Sequence, residues 1–106
     1  MLTRMEELLL LTVWRLQHDA YGLAIRRQVS RLLGKTVSVG AVYIPLERLA
    51  KKGLLDTWES EPTAKRGGRR KRFYKLTPKG LAALNTVKRV HDEAWSGLPG
   101  LAFDQG

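Results

Sequence analysis

Residues 65–75 read Lys-Arg-Gly-Gly-Arg-Arg-Lys-Arg-Phe-Tyr-Lys, and the rest of the chain is interpreted outward from this segment. Seven of its eleven residues are Lys or Arg, and none is acidic, so it carries +7 of the formal net charge of +9. It combines one-signed charge with two aromatic residues and a Gly-Gly turn, and it lies between two β-like runs. This pattern predicts a basic hairpin that binds a polyanion.

Length and composition limit the classes of protein that remain. A chain of 106 residues has room for one domain, and its hydrophobic content of 43% is typical of a globular protein. The absence of cysteine excludes disulfides and cysteine-based metal or redox chemistry. The apolar run 8–11 is too short to span a bilayer. We therefore expect a cytoplasmic protein that binds nucleic acid, with an anionic membrane surface as the alternative.

Helix signals divide most of the chain. Thr3 and Glu6 have capping-box spacing, Ser38 is placed to cap a third helix, and Thr77-Pro78 is an N-cap followed by proline. Gly34 and Gly53 are placed to end the second and third helices. The predicted helices span about residues 3–18, 21–33, 39–52 and 78–96.

The first predicted helix is apolar on nearly every side. Leu8, Leu9, Leu10 and Leu11 point about 100° apart, and other apolar residues fill the gaps. Such a helix must be buried nearly all round, yet one small core cannot cover every side of it. A second copy of the chain is the simplest cover.

The next two helices have apolar arcs that predict their inner faces. Pro45 lies deep in the third helix, where it removes a backbone hydrogen bond, so we expect a bend or a tightened first turn. Two helices joined by a short turn suggest a helix-turn-helix, with an ordinary helical pair as the alternative. The residues predicted to face inward are Leu23, Ile25, Val29, Leu32 and Leu33, then Val39, Val42, Leu46, Leu49 and Ala50.

Two strands, at about residues 54–59 and 70–76, flank the basic segment and precede the last helix. The order helix, helix, helix, two strands, helix predicts an α+β, mostly helical fold. That fold is a winged helix-turn-helix whose two-stranded wing is basic. Residues 1–96 would form the domain and residues 97–106 a flexible tail.

Three groups of motifs resemble the PadR-type transcription regulators. Residues 37–43, 46–49 and 52–54 resemble the recognition-helix motif of that family, and residues 61–63, 67–69 and 71–74 resemble the wing of one branch. Residues 76–81 match the start of its last helix, and the likeness covers roughly residues 8–84. Two departures are Tyr21-Gly22, where many members read Gly-Tyr, and Ile44, which separates the motif tyrosine from Pro45. The resemblance implies the short branch of the family, a homodimeric DNA-binding repressor whose first helix and last helix (about 78–96) join the subunits.

In a winged helix the third helix enters the major groove with its N-terminal residues nearest the bases. Gly40 and Ala41 allow close approach, Ile44 could contact a thymine methyl, and Arg48 could reach guanine or phosphate. Tyr43 could pack in the core or reach a phosphate, and Glu47 is spaced to pair with Lys51. The predicted DNA-binding residues are Ser38, Gly40, Ala41, Tyr43, Ile44, Arg48 and Lys51 on the helix, and Lys65, Arg66, Arg69, Arg70, Lys71 and Arg72 on the wing. Arg26, Arg27 and Lys35 are further candidates for phosphate contact.

The dimer interface and an effector site follow mainly from the family resemblance. Some short members bind flat aromatic compounds between aromatic residues at the dimer centre, which suggests an effector site near Trp14, His91 and Trp95. The main interpretation of His91 is a hydrogen-bonded interface residue, and pH sensing or ligand contact are the alternatives. The predicted interface residues are Leu8, Leu10, Leu11, Trp14, Leu84, Val87, His91, Ala94 and Trp95.

Other classes of function have less support in the sequence. We expect no enzyme, metal or cofactor, because there is no cysteine, no Gly-rich phosphate loop and no nucleophile–base pair at meaningful spacing. A basic RNA-binding or ribosome-associated domain is the main alternative, and a module that binds an acidic protein is another. A protein with two-fold symmetry matches a pseudo-palindromic DNA operator. This symmetry distinguishes the expected DNA-binding regulator from both alternatives.

Overall fold

The computed structural model describes residues 1–61 and 70–99. Its elements follow the predicted order, which confirms the mostly helical α+β fold. The first predicted helix ends two residues early, at Leu16, and continues as a 3₁₀ turn. The elements are α1 (Arg4–Leu16), the 3₁₀ turn (Gln17–Asp19), α2 (Gly22–Leu33), α3 (Val39–Lys51), β1 (Leu55–Glu59), β2 (Arg72–Leu76) and α4 (Pro78–Trp95).

Local capping explains why three of the helices begin where they do. The Thr3 hydroxyl accepts from the Glu6 N–H at 3.1 Å, and the Glu6 carboxylate accepts from the Thr3 N–H at 2.8 Å, which completes the capping box. Ser38 and Thr77 cap α3 and α4 in the same way through their hydroxyls. Gly34 ends α2 with a φ of 71°, which glycine adopts without a Cβ clash.

The core lies around α1, which packs against α2, α3, α4 and β2. Residues of α1 at its centre are completely buried, and the inward residues of α2, α3 and the hairpin close around them. Burial of this apolar surface is the main favourable term that holds so small a domain together. The buried apolar residues are Leu9, Leu10, Val13, Ala20, Ile25, Val29, Val37, Val42, Leu46, Leu49, Leu54, Leu55, Tyr74, Leu76, Leu84 and Val87.

Four residues predicted to face inward are exposed instead. Leu23, Leu32 and Leu33 lie on α2 away from α1, and Leu32 is 54% exposed. The buried apolar side chains of α2 are Ile25 and Val29, and no second layer covers its far side in the described parts of the chain. Val39 is half exposed because it begins α3 before that helix reaches the core.

β1 and β2 form an antiparallel hairpin whose register pairs Leu55 with Leu76 and Glu59 with Arg72. Tyr74 is buried and Phe73 is partly exposed, as expected for neighbours on opposite faces of a strand. Trp58 stacks on Phe73 with ring centroids 5.9 Å apart. The connection through residues 62–69, which includes Lys65, Arg66 and Arg69, lies outside the described residues.

The end of α3, the start of β1 and the start of α4 meet at one junction. The Thr77 hydroxyl donates to the Gly53 carbonyl at 2.7 Å, and the Thr77 N–H donates to the Leu54 carbonyl at 3.2 Å. Gly80 fits only because it lacks a Cβ, since an added carbon would overlap the Leu54 carbonyl oxygen. This junction fixes the direction in which α4 leaves the domain.

α4 ends at Trp95, and residues 100–106, most of the predicted tail, fall outside the described residues. Among the helices described, none is both long and apolar enough to cross a membrane.

Candidate nucleic-acid interface

α3 presents one side to the core and the other to solvent. Val42, Leu46 and Leu49 are buried, whereas Ile44 on the opposite side is 64% exposed. Ile44 therefore lies in open solvent, among small and basic residues that are also exposed. The residues of this exposed face, here called the reading face, are Gly40, Ala41, Ile44, Arg48 and Lys51.

Ser38 and Tyr43, also predicted to bind DNA, have structural roles. The Ser38 hydroxyl accepts from the Ala41 N–H at 3.2 Å and so caps α3. The Tyr43 ring packs across Gly22 of α2, where an added Cβ would lie 2.6 Å from the Tyr43 hydroxyl oxygen. The Tyr43 ring therefore packs against α2, which agrees with the packing interpretation of this residue. α3 remains α-helical through Pro45, and its first turn is not tightened.

The turn that leads into α3 is held by two side chains of α2. Arg26 donates through Nε to the Val37 carbonyl at 2.7 Å, and the Ser30 hydroxyl accepts from the Val37 N–H at 3.0 Å. Arg26 therefore helps to fix the start of α3, and its contact with phosphate stays a prediction. Arg48 lies at the margin of the reading face, with Nη1 3.9 Å from Glu6 Oε2.

Glu47 joins α3 to the hairpin, which corrects the predicted pairing with Lys51. Arg72 donates through Nε and Nη2 to the two carboxylate oxygens, both at 2.9 Å, and the Tyr74 hydroxyl donates to Oε2 at 2.6 Å. The hydrogen bond from Arg72, followed by that from Tyr74, holds the pKa of the Glu47 carboxyl below its ordinary value, and Lys51 adds a smaller attraction through its charge. Burial, followed by the hydrogen bond to Glu47, raises the pKa of Tyr74, so its hydroxyl keeps its proton and remains a donor.

The sequence missed this contact because its partners are 25 and 27 positions apart. A spacing of four residues is visible in a sequence, whereas contact between a helix and a later strand depends on the whole fold. The one available signal was the acidic side chain itself, placed among cations on a helix predicted to meet DNA.

Three of the six predicted wing cations lie within the described residues, and each has a neighbour. Arg72 is engaged by Glu47, and Arg70 Nη1 lies 3.8 Å from Glu59 Oε1. Lys71 Nζ lies 4.3 Å from the centroid of the Tyr21 ring, a cation–π distance. Arg70 and Lys71 keep exposed side chains, whereas Arg72 is the most firmly held of these three cations.

The residues predicted to form a dimer interface divide into two sets. Leu10 is wholly buried inside its own chain, so it belongs to the core and the prediction for it is corrected. Leu84 and Val87 are mostly buried in their own chain, and Leu84 also lines the groove between α1 and α4. Leu8 is partly buried. The remaining predicted residues are exposed: Leu11, Trp14, His91, Ala94 and Trp95.

The exposed set continues a buried stripe along α4. Gly80, Leu84 and Val87 recur at helical spacing and are buried, and the same stripe continues through His91 and Ala94, which are exposed. The first half of α4 thus packs on its own chain, whereas the second half extends the same face beyond the core. Trp14 of α1 is 48% exposed and Trp95 is 45% exposed.

The residues predicted to bind an effector are only partly brought together. Trp14 and His91 line one groove of about 320 Å³ between α1 and α4. Trp95 does not line this groove but stacks on His91, with ring centroids 6.4 Å apart. Trp14 also borders a separate cavity of about 340 Å³ with Trp58 and Lys75, which no sequence pattern indicated. Within residues 1–61 and 70–99 no group of three or more acidic or histidine side chains could hold a metal ion.

Two helices joined by a short turn and followed by a two-stranded hairpin define a winged helix-turn-helix protein. Within that class, the chain belongs to the transcriptional regulator PadR-like family, whose sequence model matches residues 10–86. Members of this family are transcription regulators and not enzymes.

Solved structures of similar proteins agree with this assignment. RosR from H. salinarum is 26% identical, with a TM-score of 0.70 over 91% of this chain and 79% of that one. A PadR-like transcription factor from Bacteroides fragilis is 28% identical, with a TM-score of 0.68 over 84% and 81% of the two chains. A PadR family transcription regulator from Clostridium difficile, 23% identical, shares the fold with a TM-score of 0.68 over 88% of this chain and 95% of that one. Among curated proteins no significant match was found.

Proposed function

We propose that this protein binds a pseudo-palindromic DNA operator as a homodimer and regulates transcription, most simply as a repressor. The observation that carries the proposal is the reading face of α3. An isoleucine exposed to 64% lies between two small residues on one side and Arg48 and Lys51 on the other. Small and apolar groups can approach thymine methyls, while the cations reach guanine or phosphate.

The hairpin beside the reading face supports this orientation. Arg70 and Lys71 are exposed at the start of β2, and that strand is joined to α3 through Arg72 and Glu47. With α3 in the major groove, these cations would face the adjacent phosphate backbone. Lys65, Arg66 and Arg69 would add charge from the connecting segment.

The homodimer is supported by the stripe of α4. Its exposed second half places His91, Ala94 and Trp95 where the stripe leaves the core, and Leu11 and Trp14 of α1 are exposed nearby. A second copy would cover this surface and place two copies of α3 on one side of a DNA duplex. Two-fold proteins of this kind bind half-sites about one helical turn apart.

Repression and its relief form the finer part of the proposal. A dimer bound over a promoter would exclude the transcription machinery from it. The groove lined by Trp14 and His91 has the size and aromatic lining for a small planar compound, which could change the position of α4. The cytoplasm, predicted from the sequence, is where such a regulator would meet the chromosome of a cell without a nucleus.

Selection of bound sites from random-sequence duplexes at about 150 mM salt tests the proposal. We expect a pseudo-palindrome whose half-sites lie roughly one helical turn apart. Equal binding to hairpin RNA, with no preference among duplexes, would instead support the RNA-binding alternative.

Titration of the wild-type protein with planar aromatic compounds, followed by tryptophan fluorescence, tests the effector groove. An unchanged signal across a broad panel would argue against an effector site there.

A further inference from the structure

Glu47 carries a negative charge on the side of α3 that the proposed function turns towards DNA. Its neighbours on that surface are Ile44, Arg48 and Lys51. A carboxylate in such a place repels phosphate unless it accepts from cytosine or is neutralised by a cation. The structure shows the second arrangement, because Arg72 meets both oxygens of the carboxylate.

The contact is a bidentate pair with a third donor. Arg72 contributes two hydrogen bonds of 2.9 Å and Tyr74 a third of 2.6 Å, so three groups from β2 and α3 define one geometry. Bidentate arginine–carboxylate contacts are both strong and orienting. The Glu47 and Arg72 side chains are 42% and 41% exposed, so the pair lies at the surface where a phosphate could compete for the guanidinium.

We propose that Glu47 is a positioning residue that withholds Arg72 from DNA phosphate and uses it to fix the hairpin against α3. The proposal rests on the proposed function, since it concerns how the same surface meets DNA. Arg72, predicted from sequence as a phosphate ligand, then contributes little to affinity for DNA of arbitrary sequence. Affinity for the operator sequence increases instead, because the hairpin is already held in its binding position before it meets the DNA.

The number of phosphates that a protein neutralises is measurable from the salt dependence of binding. Each neutralised phosphate changes the slope of log K against log salt by about 0.9. Freeing one arginine should therefore steepen the slope by about 0.9 and tighten binding at 0.15 M salt about fivefold. A residue that only stabilises the fold would change neither quantity in this direction.

The experiment measures binding to a mixed-sequence 30-bp duplex between about 0.05 and 0.3 M KCl for five proteins. Glu47→Gln should steepen the slope by about 0.9, whereas Arg72→Met leaves the Glu47 carboxylate without its partner and should weaken binding to the duplex. The double variant should return to the wild-type slope, because the freed cation is gone. Glu93→Gln, the same change at an exposed position of α4, is the matched control and should behave as wild type.

The outcomes separate this proposal from the proposed function. A wild-type protein that binds no duplex refutes the proposed function. Wild-type binding with an unchanged slope for Glu47→Gln, or a slope reduced by about 0.9 for the double variant, overturns the role of Glu47 alone. The double variant decides the matter even if Glu47→Gln alone does not fold, and circular dichroism of each variant establishes which case applies.

A second readout uses the operator obtained by selection. Glu47→Gln should tighten binding to mixed-sequence duplex more than binding to the operator, because the hairpin loses its fixed position while a mobile cation is gained. The ratio of the two affinities should therefore fall, by up to about fivefold. A ratio that stays the same would contradict the positioning role.

Discussion

At the level of single residues, glycine is required at position 22 because there is little room for a Cβ, and not because of its backbone conformation. An added Cβ would lie 2.6 Å from the hydroxyl oxygen of Tyr43 and 2.9 Å from its ring carbon Cζ. The aromatic ring connects α2 to α3, so a methyl group at Gly22 must displace either the ring or the helix. Packed interiors accommodate such insertions poorly.

Gly22→Ala should lower the free energy of unfolding by about 1 kcal/mol, at the low end for overpacking, because the partly exposed Tyr43 ring can shift outward. The measurement is urea denaturation, in which the midpoint should shift while the dependence of the unfolding free energy on urea concentration stays the same. Gly40→Ala is the matched control, because the nearest atom to its added Cβ is Ile44 Cδ1 at 3.7 Å. That variant should gain about 0.5–1 kcal/mol from helix propensity. Equal stability of the two variants would contradict the packing role of Tyr43.

Glu47 shows what sequence could not predict at this level. The spacing to Lys51 suggested a pair within one helix, but the bidentate partner is Arg72, on a strand that the fold brings alongside. Similarly, helical periodicity grouped Leu32 with Ile25, although only Ile25 finds a neighbour. Periodicity identifies a face but does not say how much of that face another element covers.

At the level of elements, the starts of α1, α3 and α4 were predictable because each depends on a capping residue within three positions. Thr77 does more than cap α4, however. Its hydroxyl accepts from the Gly80 N–H at 3.0 Å and donates to the Gly53 carbonyl at 2.7 Å. The second contact crosses from α4 to the end of α3, and no local pattern in the sequence indicates it.

Thr77→Ala should cost about 1–2 kcal/mol of stability, at the upper end for an N-cap, because both bonds are lost. Thermal unfolding followed by circular dichroism measures the effect. Thr77→Ser keeps the hydroxyl and should recover most of the loss. Thr86→Ala, at an exposed position of α4, is the control. If the midpoint of Thr77→Ala is no lower than that of Thr86→Ala, Thr77 does not both cap α4 and hold it to the end of α3.

The link between α3 and β2 should make stability depend on acid. The hydrogen bonds from Arg72 and Tyr74 hold the pKa of Glu47 below its ordinary value of 4.5. The carboxylate therefore stabilises the folded state above about pH 4.5, and this contribution is lost as the pH falls through the lower, folded-state pKa. The difference in Tm between wild type and Glu47→Gln should shrink between pH 6 and pH 3. A difference independent of pH would show that charge is not involved.

At the level of the whole molecule, the second half of α4 is the part that the isolated chain explains least. Its stripe is buried at Leu84 and Val87 and exposed at His91 and Ala94. The apolar first helix predicted a second copy of the chain, but the sequence could not say which residues each chain covers for itself. Leu10 therefore belongs to the core, although the apolar pattern of the first helix and the family resemblance placed it in the interface.

Ala94→Glu should weaken self-association at least tenfold, because an unpaired carboxylate is costly to bury. Sedimentation velocity over a dilution series measures this. Ala82→Glu is the matched control, since Ala82 is exposed on the same helix but lies off the stripe. Both substitutions are at exposed positions, so the fold of each chain should persist. If the two variants self-associate with equal affinity, the interface lies elsewhere on the chain.

The junction of Thr77 with Gly53 and Leu54 has a consequence for the length of the operator. It joins the end of the reading helix to the start of α4 through short backbone contacts, so the two helices keep a fixed relative angle. In a dimer joined through α4, the separation of the two reading helices is then a property of the folded chain. One base pair added between half-sites rotates one of them by about 36° around the duplex. A rigid dimer could follow that rotation only by bending or twisting the DNA, so spacing would be discriminated as strictly as base sequence.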